Sequence, residues 1–253
     1  MTLFQVGGIG KRFGGLNAVS DVSFDIGSGE VLGIIGPNGA GKTTLFNLMT
    51  GLLKPSSGSI LFQGESLTGL RPSRIAARGI ARTFQNIRLF GSLTVAENVL
   101  VGAHTHIGNK FWGAFFRTNG YRDQQQHLEN EAERVLRLVS LHDQRDDLAG
   151  SLPYGAQRRL EIARALMSNP TLLLLDEPAA GMNASEREGL SETIRNIRAS
   201  GLTLAMIEHD MKFMMSLCDR IIVIDHGQKI FDGTPEGAKA DRSVIEAYLG
   251  AEE

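Results

Sequence analysis

This sequence predicts an α/β fold in which a mainly parallel sheet is covered by helices, and three observations carry the prediction. The apolar run Val31 to Ile35 leads straight into the glycine-rich loop Gly36 to Thr44, GPNGAGKTT. A second apolar run, Leu172 to Leu175, closes on two adjacent carboxylates, Asp176 and Glu177. Around these runs strand-like and helix-like segments alternate, as they do where parallel strands are joined by helical crossovers.

In chain order, VSFDI (22–26) and VLGII (31–35) are short β-rich stretches, a helix follows Lys42, and another strand lies near Ser59 to Phe62. From about Ile87 to Ser168 the pattern becomes mostly helix-forming. Thr94 and Glu97 stand at the spacing of a capping box, so a helix opens there. Between Glu131 and Leu141, the apolar residues Ala132, Val135, Leu136, Leu138 and Val139 share one broad helical face. Alternation then resumes with a strand at Leu172 to Leu175, a helix from about Ala184 to Arg198, and strands at Leu202 to Ile207, Arg220 to Asp225 and Lys229 to Asp232. No repeat, low-complexity tract or linker interrupts the chain. It therefore reads as one domain over 1–253, with 1–86 and 169–253 as a nucleotide-binding core and 87–168 as an inserted helical part.

The spacing of the glycine-rich loop, Gly36 then four residues then Gly41-Lys42-Thr43, is that of a phosphate loop. Glycines let the backbone turn back so that its N–H groups face the β-phosphate of a nucleotide. On that reading Gly36, Asn38, Gly39, Ala40, Gly41 and Thr44 hold the nucleotide's phosphates, Lys42 adds a mobile positive charge, and the Thr43 hydroxyl faces Mg²⁺. Kinases, GTPases, recombinases and transport ATPases share this loop, so it identifies the ligand and leaves the job open.

Leu172 to Glu177 has the continuous apolar character of a strand buried on both faces, with its acids at the carboxyl end where parallel sheets present ligand sites. Asp176 is placed to hold Mg²⁺ through water. Glu177 is placed to polarise an attacking water, a general-base role contributing about 10²- to 10⁴-fold. His209 follows the strand Leu202 to Ile207 and so falls on the same sheet edge, where it can contact the γ-phosphate and orient that water.

With these residues in place the chain resembles the ATP-binding subunits of ABC transporters, in family order over nearly its whole length. The segments carrying the resemblance are KRFGGLNAV with Phe13, RTFQNIRLF with Gln85, LPYGAQRRLEIARAL with Tyr154, Gly155 and Ala156, AAGMN with Asn183, and EHDM with His209. The resemblance implies a P-loop NTPase of ABC type, with an N-terminal antiparallel β region beside the mainly parallel sheet and an inserted helical subdomain. It implies that Phe13 stacks on adenine and that Gln85 touches Mg²⁺ and water. It also implies that the helix opening at Tyr154 offers its N-terminus to the γ-phosphate bound by the opposite subunit, where a helix dipole suits an anion.

Two departures bear on those contacts. The serine-glycine-glycine-glutamine run of the family is Pro153-Tyr154-Gly155-Ala156 here, keeping the second glycine, which leaves room for close approach of a phosphate. Asn183 stands where the family more often has an aspartate reaching across the dimer, so an amide replaces a charge. These features, with the terminal AYLG, resemble the subfamily serving branched-chain amino acid importers; urea-import ATPases stay open as the alternative. The stretch His104 to Gln126 resembles an insertion of that subfamily. Implied partners are a second ABC ATPase subunit, a related chain in the cell or a copy of itself in isolation, two integral-membrane permease subunits and, indirectly, an extracytoplasmic solute-binding protein. The implied place is the cytoplasmic face of the inner membrane, peripherally bound. ATP-driven closure of two subunits is the implied mechanism, with each ATP between Lys42-Thr43 of one and Gly155 of the other.

Composition agrees. A chain of 253 residues with 42% hydrophobic content can bury a sizeable core. No apolar run approaches the roughly 20 residues of a membrane helix, and the N-terminus lacks the pattern of a secretion signal. A net charge of -2 gives no basic field for nucleic acid, and neither a second ATPase half nor a long coiled-coil insertion points to a DNA or ribosome ATPase. A small-molecule kinase would have no use for the signature helix together with His209. Cys218 is the only cysteine, which excludes an internal disulfide and reads as small buried packing. Arg158-Arg159 and Arg71, Arg74 and Arg78 read as solvated helix faces. Phe111 to Phe116 reads as a packed cap on the helical arm, and Met211, Met214 and Met215 as core or interface packing.

Overall fold

Two sheets organise the chain, and their strand order follows from which residues can be buried on one face and which on two. The computed structural model describes residues 1–105 and 119–249. The larger sheet has the order β10-β9-β3-β8-β7-β6, built from β3 (Val31–Ile35), β6 (Ile80–Arg82), β7 (Leu172–Asp176), β8 (Thr203–Ile207), β9 (Arg220–Asp225) and β10 (Gln228–Gly233). All its neighbouring pairs are parallel except β9 with β10. The smaller sheet, β2-β1-β4-β5, is antiparallel and is formed by β1 (Thr2–Phe13), β2 (Leu16–Gly27), β4 (Ser57–Phe62) and β5 (Glu65–Ser66).

Strand periodicity divides the core in two. Leu32, Ile34, Leu172, Leu174, Ala205, Ile207, Ile222 and Ile224 point to one face, where they meet the apolar side of the small sheet and Leu45, Phe46 and Met49 of α1 (Lys42–Met49). Val31, Ile35, Leu173, Leu175, Leu204, Met206, Ile221 and Val223 point to the other, against the helices that follow β6. Both faces being covered explains why these strands read as continuous apolar runs. Each of the four leucines of β7 is fully buried, contributing about 1.5–3 kcal/mol.

The helical side comprises α3 (Val95–Val101), α4 (Asn119–Leu138), α5 (Tyr154–Leu166) and α6 (Ala184–Ala199), after the short α2 (Pro72–Ala76) and before α7 (Met211–Met215), α8 (Pro235–Ala240) and α9 (Arg242–Leu249). Its start signals hold. The Glu97 amide donates to Thr94 Oγ1 and the Thr94 amide to a Glu97 carboxylate oxygen, at 3.2 and 2.7 Å, completing the capping box. Ala132, Val135, Leu136 and Val139 are buried together, and Leu138 packs at the margin.

Three expectations change. The first strand is the long β1, ahead of VSFDI; its pairing with β2 is irregular between Val6 and Ile9 and again on to Lys11 and Arg12, around Gly7, Gly8 and Gly10, so bulges hide its alternation. Ile80–Arg82 adds an edge strand that no alternation announces. Arg158 is buried rather than solvated, its guanidinium paired with buried Glu161 at 3.2 Å and bonded to the carbonyls of Phe84 (2.9 Å) and Gln85. Arg159 donates to the carbonyls of Val139 and Ser140, whereas Arg71, Arg74 and Arg78 are exposed as expected. The aromatic run Phe111 to Phe116 and most of the expected insertion lie outside the described residues.

Cys218 is buried with its sulfur 4.0 Å from Met214 Sδ, and burial pushes its thiol up to about 12. At pH 8 the thiolate fraction is then on the order of 10⁻⁴, so Cys218 resists iodoacetamide in the folded chain and reacts once the chain is unfolded. Mass spectrometry of native and urea-treated protein after a timed pulse checks this; rapid native labelling would show that the packing around α7 opens readily.

A nucleotide-binding cavity and a separate signature cluster

The phosphate loop leaves β3 at Gly36, where the backbone turns so closely over β9 that an added Cβ would lie 1.9 Å from the Ile224 carbonyl oxygen. Gly41 ends the loop at φ 105° as the N-cap of α1, and a Cβ there would meet the Ala18 carbonyl at 2.4 Å. Only glycine fits these two positions. The loop borders a cavity of about 650 Å³ lined by Asn38, Gly39, Ala40, Gly41, Lys42, Thr43 and Thr44, together with Phe13, Gln85 and Glu177. Phe13 is 46% exposed at its mouth, with Lys11 Nζ 5.0 Å from the ring centroid, so this aromatic is not core packing. His226 and Gly227 also line the cavity; they sit in the β9–β10 turn, which no motif marks.

The charged groups of the cavity already have partners. Lys42 Nζ donates to the carbonyls of Gly36 and Pro37 at 2.7 and 2.8 Å. Desolvation lowers the Lys42 pKa from its ordinary value, and the charge of Glu177 partly opposes that shift. Gln85 Nε2 donates to Glu177 Oε2 at 2.7 Å, joining two residues 92 positions apart. Glu177 has φ 47°, a left-handed conformation uncommon for a residue with a side chain and of the sort found at functional sites. Asp176 is buried and paired through Oδ2 with Arg82 Nη2 at 2.6 Å.

The oxygen donors available for Mg²⁺ are the Thr43 hydroxyl, the Gln85 amide and the Asp176 carboxylate. They fit a hard cation that takes few protein ligands and completes its shell with water and phosphate. No group of three or more His, Cys, Asp or Glu among the described residues could hold a metal ion.

His209 follows β8 as expected, but its side chain is 60% exposed and it is not among the residues lining the cavity. Its neighbour Glu208, which no motif singled out, is buried and accepts hydrogen bonds from the amides of Ala179 (2.7 Å) and His209 (3.2 Å). Glu208 thereby ties the turn after Glu177 to the end of β8. Burial raises its pKa, with those amides and the charge of His209 acting the other way.

The signature residues form a second cluster away from the cavity. Tyr154 and Gly155 open α5 after Pro153, which takes the N-cap position, and Ala156 is buried behind them. The Tyr154 hydroxyl donates to the Ala180 carbonyl at 3.1 Å. The room beside Gly155 is filled by Glu186 of the same chain: the Gly155 amide donates to Glu186 Oε1 at 3.1 Å, and a Cβ on Gly155 would lie 2.9 Å from Glu186 Cγ. Asn183 does not extend freely. Its side chain accepts from the Glu186 amide, and its own amide donates to Glu186 Oε2, both at 3.0 Å, closing a capping box on α6.

A phosphate-loop cavity at the carboxyl edge of a parallel sheet, lined by Glu177 with Asp176 buried next to it in sequence, defines a nucleotide-binding α/β protein. A family model described as ABC transporter matches residues 19–180, and one described as branched-chain amino acid ATP-binding cassette transporter matches residues 228–253. The chain is 45% identical over 249 residues to the high-affinity branched-chain amino acid transport ATP-binding protein BraF of Pseudomonas aeruginosa, and 43% identical over 249 residues to LivG of Escherichia coli, covering 98% of both partners in each case. The structure superposes on the ADP conformation of the ATP-binding cassette MJ1267 with a TM-score of 0.86 at 32% identity, covering 99% of each chain. The chain belongs to the ATP-binding subunits of ABC transporters.

Because Lys42 sits below the ordinary lysine pKa, raising the pH deprotonates it earlier than an exposed lysine, and ATP binding weakens along an alkaline limb below pH 10.5. Glu177→Gln removes the charge that supports the protonated form and so shifts this limb to lower pH. Titrating fluorescent-nucleotide affinity against pH in both proteins checks the direction; a limb moving upward would assign it to another group.

Proposed function

We propose that this chain is the ATP-hydrolysing motor subunit of a membrane importer for branched-chain amino acids. The observation that carries the reading is the separation, within one chain, of a cavity equipped for hydrolysis from a signature cluster equipped for an anion. One chain holds two halves of a site, and a second subunit in the opposite orientation would complete both. The names of the BraF and LivG relatives support the solute class.

In this reading Lys42 and the loop amides bind the phosphates, Phe13 stacks on adenine, and Thr43, Gln85 and Asp176 hold Mg²⁺, which when bound neutralises phosphate charge. Glu177 takes a proton from the water whose oxygen attacks the γ-phosphorus as ADP leaves, and Gln85 holds Glu177 in place for that task. His209 turns toward the γ-phosphate on closure. The signature residues Tyr154, Gly155 and Ala156, with Asn183, act on the ATP of the opposite subunit. Driving an open pair almost wholly closed takes about 5.5 kcal/mol of differential binding, which these contacts across the interface supply.

The helical arm around Gln85 to Leu93 carries the motion to two permease subunits at the cytoplasmic face of the inner membrane. A related second ATPase and an extracytoplasmic solute-binding protein complete the transporter. No helix among the described residues is long and apolar enough to cross a membrane, so the permeases supply the spans.

Glu177→Gln should lower ATP turnover by about 10²-fold or more while allowing an ATP-dependent dimer that sizing chromatography detects. In cells lacking the gene and complemented with either form at confirmed expression, labelled leucine uptake should be restored by the native chain alone. Persistent monomers at saturating ATP would sink the closure mechanism. If urea uptake, rather than leucine uptake, followed the variant, the motor would stand and the solute would be reassigned.

A further inference from the structure

Asp176, the acid read as facing the metal, is one half of a buried ion pair whose other half the mechanism leaves unused. Arg82 ends the edge strand β6, and only 7% of its side chain is exposed. Three parts of the site converge on its guanidinium. Nη2 donates to Asp176 Oδ2 at 2.6 Å at the end of β7. Nη1 donates to Asn47 Oδ1 at 2.8 Å and Thr50 Oγ1 at 3.1 Å, anchoring it to the helix that leaves the phosphate loop. The Phe46 and Phe84 rings flank it, their centroids 5.6 and 5.5 Å from Cζ. Nε is buried and has no hydrogen-bond partner among the described residues. The guanidinium thus sits buried with an unspent donor, and among the described residues Asp176 is the one carboxylate it pairs with.

We propose that Arg82 is a positioning residue that acts as the resident counter-cation of Asp176 and thereby sets how strongly nucleotide binding depends on the divalent metal. The inference rests on the reading of Asp176 as the metal-facing acid. Arg82 bonds one carboxylate oxygen and leaves the other for the metal's hydration shell. It also cancels the acid's charge, so that a metal drawn through water meets a neutral pair with a fixed guanidinium behind it. Two cations compete for one anion in a poorly screened place, and each weakens the other's hold. Removing Arg82 gives the whole carboxylate charge to the metal, and Mg²⁺ then contributes more to ATP affinity. Lysine keeps the charge without the planar fork that bridges β7 to α1.

The test is ATP affinity of the purified full chain, measured by displacement of a fluorescent ATP analogue, in EDTA and in saturating Mg²⁺. The readout is the ratio of the two Kd values, which needs no turnover. Arg82→Met should raise that ratio by about tenfold or more, whereas Arg82→Lys stays close to the native value. Arg82→Gln, which keeps a polar side chain for Asn47 and Thr50, replaces the methionine variant if the latter is insoluble, with the same expected rise. A ratio equal to or below the native one in the neutral variants overturns the role of Arg82. Asp176→Asn separates the two failures. If it shrinks the native ratio while the Arg82 variants do not move it, the counter-cation alone falls. If it leaves the ratio unchanged, the reading of Asp176 falls and takes this proposal with it.

Discussion

The nucleotide site depends on three strands ending level. Ile207 of β8 is paired with Ile34 of β3 on one side and with Asp176 of β7 on the other. The phosphate loop, the Asp176-Glu177 pair and the Glu208-His209 pair therefore leave the sheet at one height, although they are far apart in sequence. A slip of one residue between β7 and β8 would exchange the leucines that meet each half of the core, carry Asp176 to the other face and take it out of line with Ile207. The chemistry therefore inherits its geometry from the pairing and the side-chain fit of β7 between the two halves of the core. The Glu177 amide adds a lock by donating to the Ile207 carbonyl at 2.9 Å, which holds this acid beside the end of β8.

Once the strand ends converge, the groups gathered there need partners, because an unpaired buried polar group costs about 1–3 kcal/mol and a buried charge more. The chain supplies them from within. Lys42 is held by loop carbonyls, Asp176 by Arg82, Glu177 by Gln85 and the Gly155 amide by Glu186. Ligand binding at such a site is an exchange of partners rather than the addition of new ones, so the net gain is modest per contact and depends on how well the internal partner is replaced. A motor needs this near balance, since a site that bound its ligand with no competing contact would close and stay closed.

Much of this was legible in the chain. The glycine spacing of 36–44, the apolar runs at 31–35 and 172–175 and the paired acids located the cavity because each is a local pattern with a local cause. What escaped notice depends on partners distant in sequence. β1 is broken by glycines whose bulges only make sense beside β2. Arg158 looks like one of many helix-surface arginines until the carbonyls of Phe84 and Gln85 are seen to receive it. Glu208 and Glu186 are ordinary acids whose burial or bonding is set by turns elsewhere. Gly155 was read as open space for a phosphate, and the space is occupied by an acid 31 residues on.

That last contact links the two clusters mechanically. Glu186 closes the capping box with Asn183 and also accepts from Gly155, so the start of α6 and the start of α5 share one carboxylate. Tyr154 adds a bond to the Ala180 carbonyl in the turn that follows Glu177, while Arg158, one helical turn along α5, grips the backbone that carries Gln85. The signature helix is consequently bonded to both segments that bear the hydrogen-bonded pair Gln85 and Glu177. A rigid element with two such attachments moves them together or not at all, which gives any displacement of α5 a direct physical route to Gln85 and Glu177 of its own chain.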